Sequence, residues 1–272
     1  MHAFDYQRPT EINAAVEALK RSQASKPLAG GMSLVPVMRH RLANPSLLVD
    51  LGAIQALGLI EDVVGGVRIG ATTTHFNVSR SDVVKKKIPA IVQLAGGIGD
   101  PLVRNRGTIG GSLAHNDPAA CYPSAILGLG ATIHTNTRDI PADEFIVGTF
   151  TTALEAAEII VGVSFPQPDS AAYIKFINAS SRFSIVGIFL SRRAGRVLVG
   201  ITGAGHHAFR ATPLEDALGK TFTPAAARAV RIPAKRLLTD TNASAEYRAY
   251  LIPELAARAV EHCLAGTPGA IV

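Results

Sequence analysis

The chain is 272 residues long, carries 27 Lys and Arg against 21 Asp and Glu for a formal net charge of +6, and has no tryptophan. That length suits two modest domains better than one minimal one. The basic residues are scattered apart from Lys85-Lys86-Lys87 and Arg192-Arg193, with no basic-aromatic platform; this points to a solvated surface, or to an anionic ligand or acidic partner, rather than nucleic acid.

Met1 to Thr10 has no basic-then-apolar leader pattern, so a cytoplasmic location is expected. No stretch reaches the roughly 18 consecutive apolar residues of a membrane-spanning helix. Pro9-Thr10-Glu11 opens a helix, with Thr10 as its cap and Ile12, Ala15, Val16 and Leu19 on one buried face. Lys26-Pro27-Leu28-Ala29 reads as a strand entering a turn at Gly30-Gly31, and Leu34, Val37 and Met38 mark a short helix after it. A strand over 47–51 completes a β-α-β-like opening. Residues 57–71 read as a hairpin around Gly65-Gly66. A helix over 88–94 leads to the irregular loop Gly96-Gly97-Ile98-Gly99-Asp100-Pro101 and then to a second glycine motif, followed by a helical stretch over 118–129.

A strand over 158–165 stops at Pro166-Gln167-Pro168, and that proline pair sets the domain boundary. The division is 1–168, in halves of about 1–55 and 56–168, and 169–272. The second domain is expected to hold a three-stranded antiparallel sheet over 172–177, 183–190 and 196–202. Helices near 213–218, 224–230 and 243–264 follow it.

The chemistry concentrates at two glycine pairs, each followed by a hydroxyl: Ala29-Gly30-Gly31-Met32-Ser33 and Thr108-Ile109-Gly110-Gly111-Ser112. Glycine lets backbone amides approach a ligand without a Cβ in the way, and successive amides in a turn form an anion-binding concavity. A helix start immediately after the first pair adds the positive end of a dipole. Two such loops suggest one ligand gripped twice, and a diphosphate is the obvious candidate. Neither loop is a P-loop or a G-x-G-x-x-G fingerprint. Gly203-Ala204-Gly205-His206-His207-Ala208 does match G-x-G-x-x-A, but Pro213 follows too soon for a continuing helix, so it reads as a turn. Arg104 and Arg106 read as holding the second loop. Asp117 is open between ligand hydroxyls and a helix cap, and His115 lacks metal partners.

No Ser-His-Asp arrangement stands out along the chain. Cys121 and Cys263 cannot hold a cysteine-ligated iron–sulfur cluster, which takes four thiolates, and read as reduced core thiols. If the protein does chemistry, a cofactor is expected to carry it.

The segments Ala29 to Met38, Arg41-Leu42-Ala43, Leu48 to Leu51 and Gly99 to Gly111 resemble the two flavin loops of the FAD-binding medium subunits of molybdenum hydroxylases, the carbon monoxide dehydrogenase and xanthine dehydrogenase type. The resemblance also takes in Phe4 to Pro9 and Ser244 to Arg248, and so covers nearly the whole chain. It implies an α+β fold: a vanillyl-alcohol-oxidase/PCMH-type FAD-binding domain of two α+β halves, followed by a smaller C-terminal domain. It further implies non-covalent FAD between the halves.

By the match, Pro27, Leu28, Ala29, Gly30, Gly31, Met32, Ser33 and Leu34, with Thr108, Ile109, Gly110, Gly111 and Ser112, hold the pyrophosphate and neighbouring atoms. Ile98, Ile160 and Lys175 fall at further contacts of the family, and Phe183 is an aromatic near the isoalloxazine ring; Asp117 stays a cofactor-binding candidate on its own chemistry. The chain departs from the family pattern at Cys121, where an acid is frequent, at Ser112, where many members have Asn, and at Arg182, where an acid is common. A cation at Arg182 is expected to favour the anionic reduced flavin.

The resemblance implies an oxidoreductase subunit for electron transfer. Molybdopterin would lie on a large partner subunit and 2Fe–2S clusters on a small one, in a dimer of heterotrimers. NAD, a quinone or dioxygen would be the acceptor. Two alternatives stand beside it: a self-contained flavin oxidase of the same fold, and a cofactor-less assembly protein.

Overall fold

The computed structural model describes residues 1–272 and builds them around three main sheets in chain order. The first holds β1 (Asp5–Gln7), β2 (Ser25–Leu28) and β3 (Leu47–Asp50), all parallel, in the order β1-β3-β2. The crossover helix α1 (Ile12–Lys20) buries Ala15, Val16 and Leu19 against Leu47, Val49 and Leu51, as its periodicity requires. Its cap differs from expectation. Glu11 takes the extended N-cap backbone and no side chain caps the helix, because Thr10 lies one residue too early to reach the N2 or N3 amide. Helix α2 (Leu34–Arg39) follows the first glycine pair.

The second sheet begins with the hairpin β4 (Ile60–Val63) and β5 (Gly66–Gly70). A run of short helices comes next: α3 (His75–Arg80), α4 (Asp82–Lys87), α5 (Pro89–Gly96), α6 (Pro101–Arg106), α7 (Ile109–His115) and α8 (Tyr122–Leu129). Then come β6 (Thr132–Thr135), β7 (Asp139–Pro141), α9 (Ala142–Phe145), the small hairpin β8 (Ile146–Gly148) and β9 (Thr151–Thr152), and β10 (Ile160–Pro166). The sheet order is β4-β5-β10-β6-β7, antiparallel throughout. Its inner row Ile69, Val163, Ile133 and Ile140 meets Ile91, Leu94, Leu113 and Ile126 from the helices in the largest core.

The third sheet is larger than the sequence pattern predicts. Its centre is β11 (Ser170–Ile177), β12 (Ser184–Arg193) and β13 (Arg196–Thr202), antiparallel as expected. Two edge strands extend it to five, β14 (Phe209–Arg210) beside β13 and β15 (Gly269–Ile271) parallel to β11. Segments this short show no readable period, and only their neighbours make them strands. Between them lie α10 (Thr212–Lys220), α11 (Pro224–Arg228) and α12 (Ala245–Leu264).

Gly203, at φ +78°, makes the turn of the G-x-G-x-x-A segment, and Arg248, 2% exposed, donates to its carbonyl at 2.8 Å and to Asp240 at 2.8 Å. The C-terminal sheet packs on α8, joined by Ser191 Oγ donating to the Gly128 carbonyl at 2.5 Å and Thr202 Oγ1 to the Ala120 carbonyl at 2.6 Å. No helix is long and apolar enough to cross a membrane.

Candidate functional site

The two glycine pairs meet in space. Leu28 closes β2 opposite Asp50 at the end of β3, so the first loop leaves the carboxyl edge of a parallel sheet, where such sheets bind ligands. A Cβ on Gly30 would run into the Arg106 carbonyl, and one on Gly111 would lie 3.9 Å from Ala29 Cβ. The loops touch because Gly30 has no side chain to meet the Arg106 carbonyl, and at Gly111 even a Cβ would rest at ordinary contact distance from Ala29.

Within the first loop, none of the amides from Ala29 to Leu34 donates to another group of the chain. Gly31 sits at φ +73°, and Ser33 at the start of α2 leaves its hydroxyl uncommitted. Met32 and Ser33 are exposed and their neighbours half-exposed, so these donors face solvent. A row of free amides leading into a helix start is the donor set a diphosphate requires. The residues present fit that group.

The second motif does something else. It is the first turn of α7 rather than a loop, capped by Thr108, whose hydroxyl accepts from the Gly111 amide at 3.1 Å. The amides of Ile109 and Gly110 donate to the carbonyls of Thr73 and Ala71, at 3.1 and 2.9 Å, and that of Ser112 to the Thr108 carbonyl at 3.0 Å. A Cβ on Gly110 would lie 2.6 Å from Ala71 Cβ and 2.7 Å from its carbonyl. The expectation that both glycine pairs offer free amides therefore fails for the second: its amides are spent locking α7 onto the end of β5. What it presents to the first loop is the small surface of Gly111, with the half-exposed Ser112 next in the chain.

The remaining expected residues divide. Ile98 is half-exposed, and its carbonyl and that of Gly99 both accept from Arg104 Nη1 at 3.0 Å, so Arg104 holds this loop. Lys175 is 1% exposed in the middle of β11, and its Nζ donates to the Gly97 carbonyl at 3.0 Å. Asp117 accepts from the Ala119 amide at 2.8 Å and organises the turn before α8. Phe183 is exposed after Arg182, which has φ +59° in a turn gathered around the Asn178 side chain. Ile160 is buried in the largest core, so only its backbone can reach a ligand. Cys121 is buried at the start of α8.

Electrostatics at the second motif favour a neutral imidazole. His75, the first residue of α3, is buried with its ring 5.4 Å from that of Tyr122, and its amide donates to the Gly107 carbonyl at 2.9 Å. Desolvation, with the nearby Arg104 charge, pushes its pKa down to about 4.

Two features escape sequence reading. Asn116, buried at φ +48°, ends α7 and donates to the carbonyls of Gly148 and Thr151 at 2.8 and 2.9 Å, anchoring the β8–β9 hairpin. An Asn following a helical glycine motif is the available signal for the left-handed cap, but not for its partners. Ser164, His134 and Asp139 also form a chain, with separations of 2.7 and 2.6 Å, on the outer face of the second sheet. Ser164 lies mid-strand in β10, paired on both sides, so the ladder uses the backbone there and no oxyanion site forms. Nowhere do three His, Cys, Asp or Glu side chains gather to hold a metal.

Residues 2–168 match the family described as the FAD binding domain in molybdopterin dehydrogenase. Among curated proteins, the nicotine 6-hydroxylase medium subunit of Paenarthrobacter nicotinovorans is 37% identical over 272 residues, covering 95% of this chain and 96% of its own. The carbon monoxide dehydrogenase medium chain of Hydrogenophaga pseudoflava is 31% identical, covering 94% and 96%. Among solved structures, a chain of the cyanide-inactivated Cu,Mo-CO dehydrogenase superimposes with a TM-score of 0.86 at 32% identity, covering 97% of this chain and 98% of its own. A chain of quinoline 2-oxidoreductase from Pseudomonas putida 86 gives 0.87 at 29% identity, with the same coverage.

Proposed function

Because the chain belongs to the family of FAD-binding domains of molybdopterin dehydrogenases, we propose that it is the medium subunit of a molybdenum hydroxylase complex. In that role it carries electrons from partner iron–sulfur clusters through FAD to an external acceptor. In this reading the partners are a molybdopterin large subunit and a small 2Fe–2S subunit, in a dimer of heterotrimers, with a cytoplasmic location. The acceptor is NAD, a quinone or dioxygen. The observation that carries the reading is the row of unpartnered amides from Ala29 to Leu34, held against the second motif in a chain of this family.

FAD supplies reversible electron uptake at its isoalloxazine ring when bound. The work of this chain is binding and orientation. The amides from Ala29 to Leu34 and the Ser33 hydroxyl take the diphosphate, following Pro27 and Leu28 at the end of β2. Thr108 to Ser112 form the opposing wall, with Gly111 allowing close approach. Ile98, Lys175 and Phe183 border the ring system, Ile160 contributes its backbone, and Asp117 holds the turn that leads to α8. None of these residues is assigned a proton transfer.

Titration of the purified chain with FAD tests the reading. It is expected to give one FAD per chain with flavin absorption bands in the protein fraction, and co-expression with its neighbours is expected to yield a complex containing molybdenum and iron. Absence of FAD uptake overturns the reading. FAD binding with turnover of a substrate by the chain alone would establish the self-contained oxidase instead.

A further inference from the structure

We propose that β15 and Lys175 form a latch by which the C-terminal sheet sets the position of the Gly97–Ile98 segment, making Ile271 and Lys175 positioning residues for the flavin pocket. This rests on the FAD reading above, because Ile98 is one of the residues assigned to the ring system.

The latch follows from three observations. First, a buried ammonium is costly without a partner, and Lys175 finds none among the carboxylates. Its Nζ donates instead to the Gly97 carbonyl, at the carboxyl end of α5 where the helix dipole is negative. With Arg104 holding the carbonyls of Ile98 and Gly99, three consecutive carbonyls are fixed by two cations, one from each domain.

Second, Ile271 Cδ1 lies where a Cβ on Gly97 would sit, so the end of that side chain packs directly on the Gly97 backbone. At φ −90° the Gly97 backbone itself would accept alanine, and only the Ile271 methyl would have to turn aside. Third, Ile271 and Lys175 are tied together by the strand ladder. They are register partners across the parallel pair β11–β15, the Val272 amide donates to the Lys175 carbonyl at 2.8 Å, and the Ile177 amide to the Val272 carbonyl at 3.0 Å. The side chain of Lys175 and the strand paired to its backbone thus grip the same residue of α5's end. A displacement of β15 reaches Ile98 through one residue.

The test uses the full chain, titrated with FAD, with amide hydrogen exchange over 96–99 followed in the FAD-free protein. Gly97→Ala adds a methyl where Ile271 sits. Because the Ile271 methyl can turn aside, it is expected to weaken FAD binding about three- to fivefold, shift the flavin absorption bands and speed exchange over 96–99. Gly97→Ala combined with Ile271→Ala makes room for the methyl and is expected to recover affinity to within about twofold of the parent, which a general loss of stability would not do. Lys175→Met leaves the Gly97 carbonyl unpaired and is expected to speed exchange in the same segment.

Gly97→Ala with parental affinity, spectrum and exchange overturns the latch. So does a defect that Ile271→Ala does not relieve. Failure of the parent chain to bind FAD overturns the functional reading instead, and the exchange pattern then decides the latch alone: unchanged exchange in all three variants ends it.

Discussion

The two glycine pairs look alike in sequence and work in opposite ways. At Ala29 to Ser33 the amides have no partner in the chain and the backbone faces solvent, with Gly30 packed tight against the Arg106 carbonyl. At Thr108 to Ser112 every amide from Ile109 onward is already spent, and Gly110 is there because Ala71 leaves no room for a side chain. One leaves a row of backbone donors free. The other is a buttress that holds the opposing wall. A shared motif reports a shared tolerance for close approach, while what approaches is decided by the neighbours.

The sharpest way to break this comparison is Gly110→Ala. The added methyl meets the Ala71 backbone, which cannot swing aside as a side chain could, so stability is expected to fall by roughly 3 kcal/mol. Thermal denaturation of the FAD-free chain checks it, and an unchanged midpoint would remove the buttress.

The buttress should also be sensitive to acid. His75 takes up a proton near pH 6.5 when unfolded but only near pH 4 when folded. Its contribution is fully present above pH 6.5 and is lost as the pH falls towards 4, up to about 3 kcal/mol, with no further loss below. Denaturant unfolding across this range is expected to show that slope, and His75→Gln is expected to flatten it.

A smaller contrast pairs one hydroxyl from each motif, Thr108 and Ser33. Thr108→Ala removes the cap on the Gly111 amide and is expected to cost about 1 kcal/mol of stability. Ser33 has no partner in the chain, so Ser33→Ala is expected to leave the unfolding midpoint in place and to weaken FAD binding by about three- to tenfold. If Ser33→Ala shifted the midpoint and Thr108→Ala did not, the two roles would be reversed.

Much of this molecule was legible in the chain. Sequence pattern located α1, α2, α5, α8 and α10 to α12 and the strands β2 to β5 and β10 to β13, because burial of one face imposes a period wherever a core forms. The glycine motifs, the resemblance they carry and the shortage of cluster cysteines pointed to a flavin-binding chain whose iron–sulfur and molybdenum centres lie elsewhere. The misses are local in sequence but distant in space. Thr10 had the chemistry of a cap and the wrong offset, and the short elements β1, α3, α4, α6, α7, β6 to β9, α9, β14 and β15 showed no period to read.

Only the tertiary structure decided which glycine loop kept its amides free, that Lys175 spends its ammonium on the Gly97 carbonyl, and that Ser164, His134 and Asp139 meet on one sheet face. The physical reason is the same in each case. Sequence sets what a backbone can adopt and what a side chain can donate, whereas a hydrogen bond is assigned by whichever partner the packing brings within about 3 Å.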